Sequence, residues 1–487
     1  MDLLALGPIL ITAVASMVAL LLELVARGKQ KVIIAYVSLA GVALAALSAL
    51  ILWNAGRPPA YGGMVLADNL AVFITLLSLG IAFVTLLMAP AFLARTGMHH
   101  GEFYALLLLA TCGSIMLAVS GNLIVLFLGL ELLSISLYIL AGFARGQLRS
   151  EEAALKYFLL GSFSIGFFIY GAALIYGATG TTDLAAIGKA VAGLGGQENP
   201  LLLIGMGLLL VGFGFKLALV PFHQWTPDVY DGAPTLVTAF MSVGTKAAVF
   251  AALVRVLAEA LPGIRADWSA IIWLLAAATM LIGNTVAIAQ SEIKRLLAYS
   301  SIGQAGYVLT AVFAGSADGW SGTLFYLLCY AIMNLGAFGV VMAVGLRGES
   351  NRSINDYAGL FGRQPFLAAA MTVFMLSLAG IPPTAGFWAK FYAFRAAIGA
   401  GDAGLWLAII GIISSVIAAY YYLRLAIILY RAPETAEPRP SAAPAPAALL
   451  ASIALTLLLT VQIGLYPTAQ FEAAQQAVPP PVRAAAR

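Results

Sequence analysis

The chain has 487 residues, of which 62% are hydrophobic and only 9% are Asp, Glu, Lys or Arg. A soluble domain carries about 25% charged residues, so a wetted globular surface is excluded and an all-α polytopic membrane protein is expected. The net charge of +4 comes from Lys and Arg scattered along the chain and not clustered, which speaks against a nucleic-acid surface.

A membrane helix uses about 20 apolar residues. Apolar runs fall at 3–25, 32–53, 69–93, 103–119, 122–143, 153–177, 201–222, 234–258, 268–289, 294–314, 321–345, 366–399, 404–430 and 447–466, giving about fourteen spans. The first run opens at Leu3 without a positive leader, so it reads as a span and not as a cleavable signal. Alternate loops carry thirteen Lys and Arg on one side and seven on the other. The positive-inside rule then puts both termini outside. Residues 431–447 hold five prolines and read as an extended cytoplasmic linker before the last span. The Ala/Pro/Gln-rich tail after Tyr466 is expected along the outer surface.

Three spans carry interruptions: GFGFKLALVPFHQ in span 7, SVGTKAA in span 8 and SLAGIPPTAGFWAKF in span 12. Gly and Pro free backbone groups that lipid cannot satisfy, so broken helices 7, 8 and 12 are expected where protein or water covers them. The pair Pro382-Pro383 is the strongest of these signals.

Four charged residues lie deep inside apolar runs: Glu131, Lys216, Lys246 and Lys390. A lone charge near the bilayer centre costs about 2.5–3.5 kcal/mol on insertion scales, so these four should face the interior and pair with one another or with water. Desolvation favours a neutral lysine, and a nearby carboxylate favours a charged one. A carboxylate that moves or changes charge therefore makes a lysine take up or release a proton. Glu131 with Lys216 is the expected switch, Lys246 the next acceptor, and Lys390 the exchange point with the outer side. The competing reading is a set of buried charges that only fixes packing. Lys156, near the cytoplasmic end of span 6, reads equally as a functional residue or as one that snorkels. His223, after the break in span 7, could relay protons or serve as a hydrogen-bonded structural residue. Glu23 and His99-His100 read as bland, and Tyr420-Tyr421-Tyr422 with Arg424 as packing and interface anchoring.

Lys216 and Lys390 sit five spans apart. Five is odd, so spans 4–8 and 9–13 would be two inverted five-helix repeats, a common transporter plan. The expected division is 1–98 for spans 1–3, 99–262 and 263–430 for the two repeats, and 431–487 for the linker, span 14 and tail. Cys112 and Cys329 lie in apolar runs, with no Cys/His cluster, GxGxxG or P-loop. No cofactor or metal is therefore expected in this chain.

The motifs FKLALVPFHQWTPDVYDGAPTLVTAFMSVGTKAA (215–248), SEIKRLLAYSSIGQAGY (291–307), NDYAGLFGRQP (355–365) and SLAGIPPTAGFWAKFY (377–392) resemble the antiporter-like subunits of respiratory complex I, the NADH–quinone oxidoreductase. The first two motifs also recur in Mrp-type cation/proton antiporters, whereas the last two favour the subunit N branch. Subunits L and M usually read PDAHxxAP where this chain has PDVYDGAP. Subunit M is expected to carry Glu at the position of Lys390, and subunit L a long lateral helix after its core. The resemblance implies a proton-pumping membrane-arm subunit in a bacterial inner membrane. Glu131, Lys216, Lys246 and Lys390 match the family's proton-path residues, and Lys156 matches a further family lysine. It also implies that NADH, FMN, iron–sulfur clusters and quinone belong to partner subunits. The implied neighbours are subunit M and small subunits such as K, within the lipid bilayer and without nucleic acid. The alternative function is a subunit of an Mrp-type antiporter driven by an ion gradient.

Overall fold

The computed structural model describes residues 2–478, apart from 27, 196, 198, 346–352 and 433–444. Most of the Pro-rich linker and the last nine residues fall outside this set. Among the described residues, thirteen helices are long and apolar enough to cross a membrane. The remaining crossing, span 12, is built from two shorter helices, Pro365–Ala379 and Ala385–Ile398. Span 12 included, the described residues hold fourteen candidate crossings.

Helix starts follow local chemistry. Asp68, Asn122, Asp183, Asn199 and Ser316 each accept a backbone N–H at the start of the helix that follows. Gly97, Gly180 and Gly380 close helices with φ of 75°, 72° and 88°, a conformation that needs no Cβ. The outer connection after span 6 holds a short helix, Leu184–Gly193, and the segment after Tyr466 forms another, Thr468–Gln476.

Span 7 (Pro200–Leu217) ends at Ala218, which has φ of 59°, and a short helix, Trp225–Gly232, follows before span 8. Span 12 is broken across Gly380–Thr384, around Pro382-Pro383. Span 8 departs from expectation. Thr235–Arg255 runs as an α-helix through Gly244 and Lys246, and its irregular part is a π turn at Val256–Ala260. A lone Gly weakens a helix by about 1 kcal/mol but keeps its N–H, whereas Pro removes a donor and clashes with the preceding turn. The SVGTKAA motif therefore bends nothing.

The two five-helix repeats show themselves in matched contacts. A bridge joins Asn122 to Asp183 and another joins Glu292 to Ser353, each residue of the second pair lying 170 positions after its counterpart. Span 4 (Gly101–Val119) meets span 5 (Leu123–Ala141) so closely at Gly113 that a Cβ would stand 2.4 Å from the Leu133 nitrogen. Span 9 (Arg265–Ile288) meets span 10 (Ile293–Phe313) in the same way at Gly283, 2.8 Å from the Gly303 nitrogen. These positions again differ by 170. Small residues allow such close approach where lipid supplies no hydrophobic drive between helices.

Several arginines reach across to the ends of neighbouring helices. Arg255 donates to Ala118 at the end of span 4, and Arg424 to Ile288 and Gln290 at the end of span 9. Arg265 bonds Ala314 at the end of span 10, and Arg95 bonds Met342 in the last turn of span 11 (Ala317–Val344). Each guanidinium meets carbonyls that have no intrahelical partner or lie beside such carbonyls, at the negative end of the helix dipole. Arg255, wholly buried, is also paired with Asp68 and Glu259 at 2.9 and 2.7 Å.

Candidate functional site: three buried lysines and their polar seam

Lys216, Lys246 and Lys390 are 3%, 3% and 5% exposed. Lys216 occupies the last turn of the interrupted span 7. Its ammonium donates to the Tyr138 hydroxyl at 3.0 Å. Aromatic faces surround it, with the rings of Tyr138, Tyr157 and Phe215 at 5.1, 5.6 and 5.8 Å, distances at which a ring attracts a cation. Trp225 of the following short helix stacks on both Tyr157 and Phe215 and donates to the Phe215 carbonyl at 3.0 Å. The break in span 7 thereby folds an aromatic wall back over Lys216.

Glu131 lies halfway along span 5 and is half-buried. It is the carboxylate expected to pair with Lys216. Among the described residues, though, the two form no direct ion pair. Among the described residues none of the three lysines meets a carboxylate or another lysine, and their hydrogen bonds go to hydroxyls and carbonyls. Three N–H donors on an ammonium can be met by such neutral acceptors without bringing a second charge into the interior.

Lys246, midway along span 8, bonds the Ser301 carbonyl and its hydroxyl, the latter at 2.7 Å. Lys390, on the second half of span 12, donates to the Ala379 carbonyl at 2.9 Å and to Ser415 at 3.1 Å, over the Tyr307 ring at 4.4 Å. Ala379 is the last residue of the first half-helix. The double-proline break thus exposes the carbonyl that holds the lysine.

Between Lys246 and Lys390 runs a seam of buried hydroxyls and amides. The Ser300 and Tyr422 hydroxyls share a 2.5 Å bond, and Gln304 donates to Tyr422 at 3.1 Å and to the Leu378 carbonyl at 3.0 Å. Tyr421 donates to Asn284 at 2.8 Å, and Asn284 donates to Tyr307 and Ser414 at 3.1 and 2.8 Å. Tyr421 and Tyr422 are therefore not the mere packing residues their run suggests. Only Tyr420 points outward, 58% exposed.

The two secondary candidates lie apart from the lysines. Lys156 pairs with Glu152 and Asp228 at 2.7 and 2.8 Å, and Arg295 joins Asp228 at 2.8 Å. Burial pushes the Asp228 carboxyl up, but hydrogen bonds from Lys156 and Arg295 outweigh it and hold the group below its usual range. The bridge ties the short helix Trp225–Gly232 to spans 6 and 10. His223 lies in the connection just before that helix, and its Nδ1 is buried with no partner. Burial holds this imidazole below its ordinary value. Glu23 accepts the Gly101 N–H at 2.8 Å and pairs with Lys31.

The family model described as NADH:quinone oxidoreductase/Mrp antiporter, TM, matches residues 120–418, a stretch that contains Glu131 and the three buried lysines. Subunit N of the NADH-quinone oxidoreductase of Trichlorobacter lovleyi is 48% identical over 473 residues, covering 97% of this chain and 96% of the relative. This chain belongs to the subunit N family of NADH-quinone oxidoreductases. Among solved structures, a chain of respiratory complex I from Thermus thermophilus with bound aureothin is 39% identical, with a TM-score of 0.81 over 96% of this chain and 99% of that one. A chain of the Mrp complex from Dietzia sp. DQ12-45-1b superposes with a TM-score of 0.83 over 98% of this chain and 97% of that one. At 23% identity it shares the fold. The subunit N family thus accounts for the fourteen crossings, the inverted repeats and the break in span 12.

Proposed function

We propose that this chain is a proton-translocating unit in the membrane arm of an NADH–quinone oxidoreductase and that its buried lysines carry the protons. The observation that supports the role of the site most directly is the set of three lysines, each nearly inaccessible and, among the described residues, none in a direct ion pair. Each is held by groups that accept a hydrogen bond without fixing its charge. Such a lysine can gain or lose a proton without first breaking a salt bridge.

In this reading Glu131 sets the charge state of Lys216, Lys246 takes the proton next, and Lys390 exchanges it with the outer side. His223 relays protons between the cytoplasm and the interior, and Lys156 holds the short helix that walls Lys216. The repeats are 99–262 and 263–430, after spans 1–3 in 1–98 and before the linker, span 14 and tail in 431–487. Both termini face the periplasm across the bacterial inner membrane. Redox chemistry takes place in partner subunits that hold FMN, iron–sulfur clusters and the NADH and quinone sites. Neighbours in the arm include subunit M and small subunits such as K.

The test is Lys216→Ala in the native organism, with NADH oxidation and acidification followed together in inside-out vesicles after a native gel confirms assembly. Loss of both in an assembled complex is the expected result. Normal oxidation and pumping would remove Lys216 from the path.

A further inference from the structure

Tyrosine serves the two broken helices in different ways. At Lys216 the Tyr138 hydroxyl takes the ammonium's hydrogen bond at 3.0 Å, and the ring centroid is 5.1 Å away. At Lys390 the ammonium lies 4.4 Å from the Tyr307 ring centroid, the closest approach of a lysine to a ring among the described residues. Its hydrogen bonds go to the Ala379 carbonyl and Ser415. The Tyr307 hydroxyl is engaged on span 9, where it accepts from Asn284 at 3.1 Å. Tyr307 thus offers Lys390 its face and not its oxygen.

The surroundings are cut to keep that face in place. Tyr307 is wholly buried. At Gly303, one turn earlier on span 10, a Cβ would stand 2.6 Å from the Asn284 Oδ1, so the glycine makes room for the amide that holds the phenol. Phe394, one turn after Lys390, meets the Tyr307 ring edge-on, with centroids 6.2 Å apart and planes at 73°. Residues four apart share a helix face, so one face of the second half of span 12 lays both Lys390 and Phe394 on this ring. At Gly380, with φ of 88°, a Cβ would stand 2.9 Å from the Lys390 Cδ. The break therefore clears the lysine's stem as well as closing the first half-helix.

A ring face attracts a cation through its quadrupole, and a neutral amine has no charge for it to attract. The ring's hold on Lys390 exists while the lysine keeps its proton. We propose that the Tyr307 ring is a charge-sensitive seat for Lys390: it holds the ammonium at the break in span 12 and lets go of the amine. This rests on the reading of Lys390 as a proton carrier. It adds Tyr307 as a positioning residue, with Asn284 setting the ring. Tyr307 keeps its own hydrogen throughout, and no bond to it is made or broken.

The experiment alters the ring's charge without altering its shape, in the assembled complex and in inside-out vesicles driven by NADH. Tyr307→Phe keeps the face and loses the tie to Asn284, so acidification should slow only about twofold, the ring face being the larger contribution. Phenylalanines with one, two and three ring fluorines, placed at 307 by nonsense suppression, withdraw electron density from the face step by step. The seat predicts a stepwise fall, reaching roughly tenfold below Tyr307→Phe, as a desolvated cation–π contact allows. Tyr307→Leu, which has no face, should fall as far. Lys390→Ala is measured beside them and should lose pumping. A fluorine series that stays flat or rises, with pumping lost in Lys390→Ala, would overturn the seat and leave the lysine's role standing. A flat series with a slowed Tyr307→Leu would mark a packing defect and reject the seat. Normal pumping in Lys390→Ala would overturn the proton-carrier reading and the seat together.

Discussion

The two broken helices present their lysines in opposite ways. Lys216 hangs from a side chain: its one hydrogen bond goes to a tyrosine hydroxyl, and aromatic faces supply the rest of its surroundings. Lys390 hangs from the backbone, on the carbonyl that the Pro382-Pro383 break leaves open at Ala379, with Ser415 as a second acceptor. A hydroxyl can both donate and accept and can turn its hydrogen, whereas a main-chain carbonyl can only accept. The first site is thus built to change its hydrogen bonding, and the second to hold an ammonium in one place. Two repeats of one plan therefore hold their lysines by unlike acceptors.

The sharpest way to break this comparison is arginine substitution. Arg keeps charge and donors but does not release its proton. If both lysines carry protons, Lys216→Arg and Lys390→Arg should each cut NADH-driven acidification by about tenfold or more. Near-normal pumping in Lys390→Arg alone would instead make Lys390 a fixed anchor. A smaller effect is expected for Ser415→Ala. Lys390 then keeps the Ala379 carbonyl and loses one of two acceptors, so the pumping rate should fall only about two- to threefold, although a bond to a charged group is worth about 1.5–3 kcal/mol. A loss as deep as that of Lys390→Arg would show that the carbonyl alone does not hold the ammonium.

The smallest effect concerns the frame around Lys216. The Asp228 carboxyl lies below its usual range in the folded chain, so its contribution to stability is fully present above the unfolded value of about 3.9 and is lost as pH falls through the folded value. Asp228→Asn should lower the thermal inactivation temperature of the complex by a degree or two, since partly exposed ion pairs contribute about 0–1 kcal/mol. The difference from the parent should stay level from about pH 5 to 8, where the carboxylate is ionised in both states. A difference that changes across this range would point to another group.

Charge and hydropathy made most of the fold legible. Apolar runs of the right length mark the spans, and Pro382-Pro383 marks the break in span 12, because proline lacks the N–H that a continuing helix needs. Gly244 gave a false break in span 8, since glycine alone removes no hydrogen bond. The lysines stood out because charge is costly in lipid. Their partners did not, because Tyr138, Ser301, Tyr307 and Ser415 carry no charge and are common in membrane helices. A weaker signal was present: Ser300, Ser301, Gln304 and Tyr307 recur at near-helical spacing in an otherwise apolar span, and Tyr138 falls seven residues from Glu131. The Ala379 carbonyl had no side-chain signal at all, for the residue that offers it is alanine.

The arginines that bond the ends of neighbouring helices bear on how such a molecule can move. Arg95, Arg255, Arg265 and Arg424 each tie one helix to the end of another, at heights fixed by where those helices stop. A helix that slid along the membrane normal by even one residue, about 1.5 Å, would strain a bond made by a charged group. The bundle is in effect riveted in register. What it can transmit along its length is a change of charge, passed from one buried group to the next through a scaffold that stays where it is.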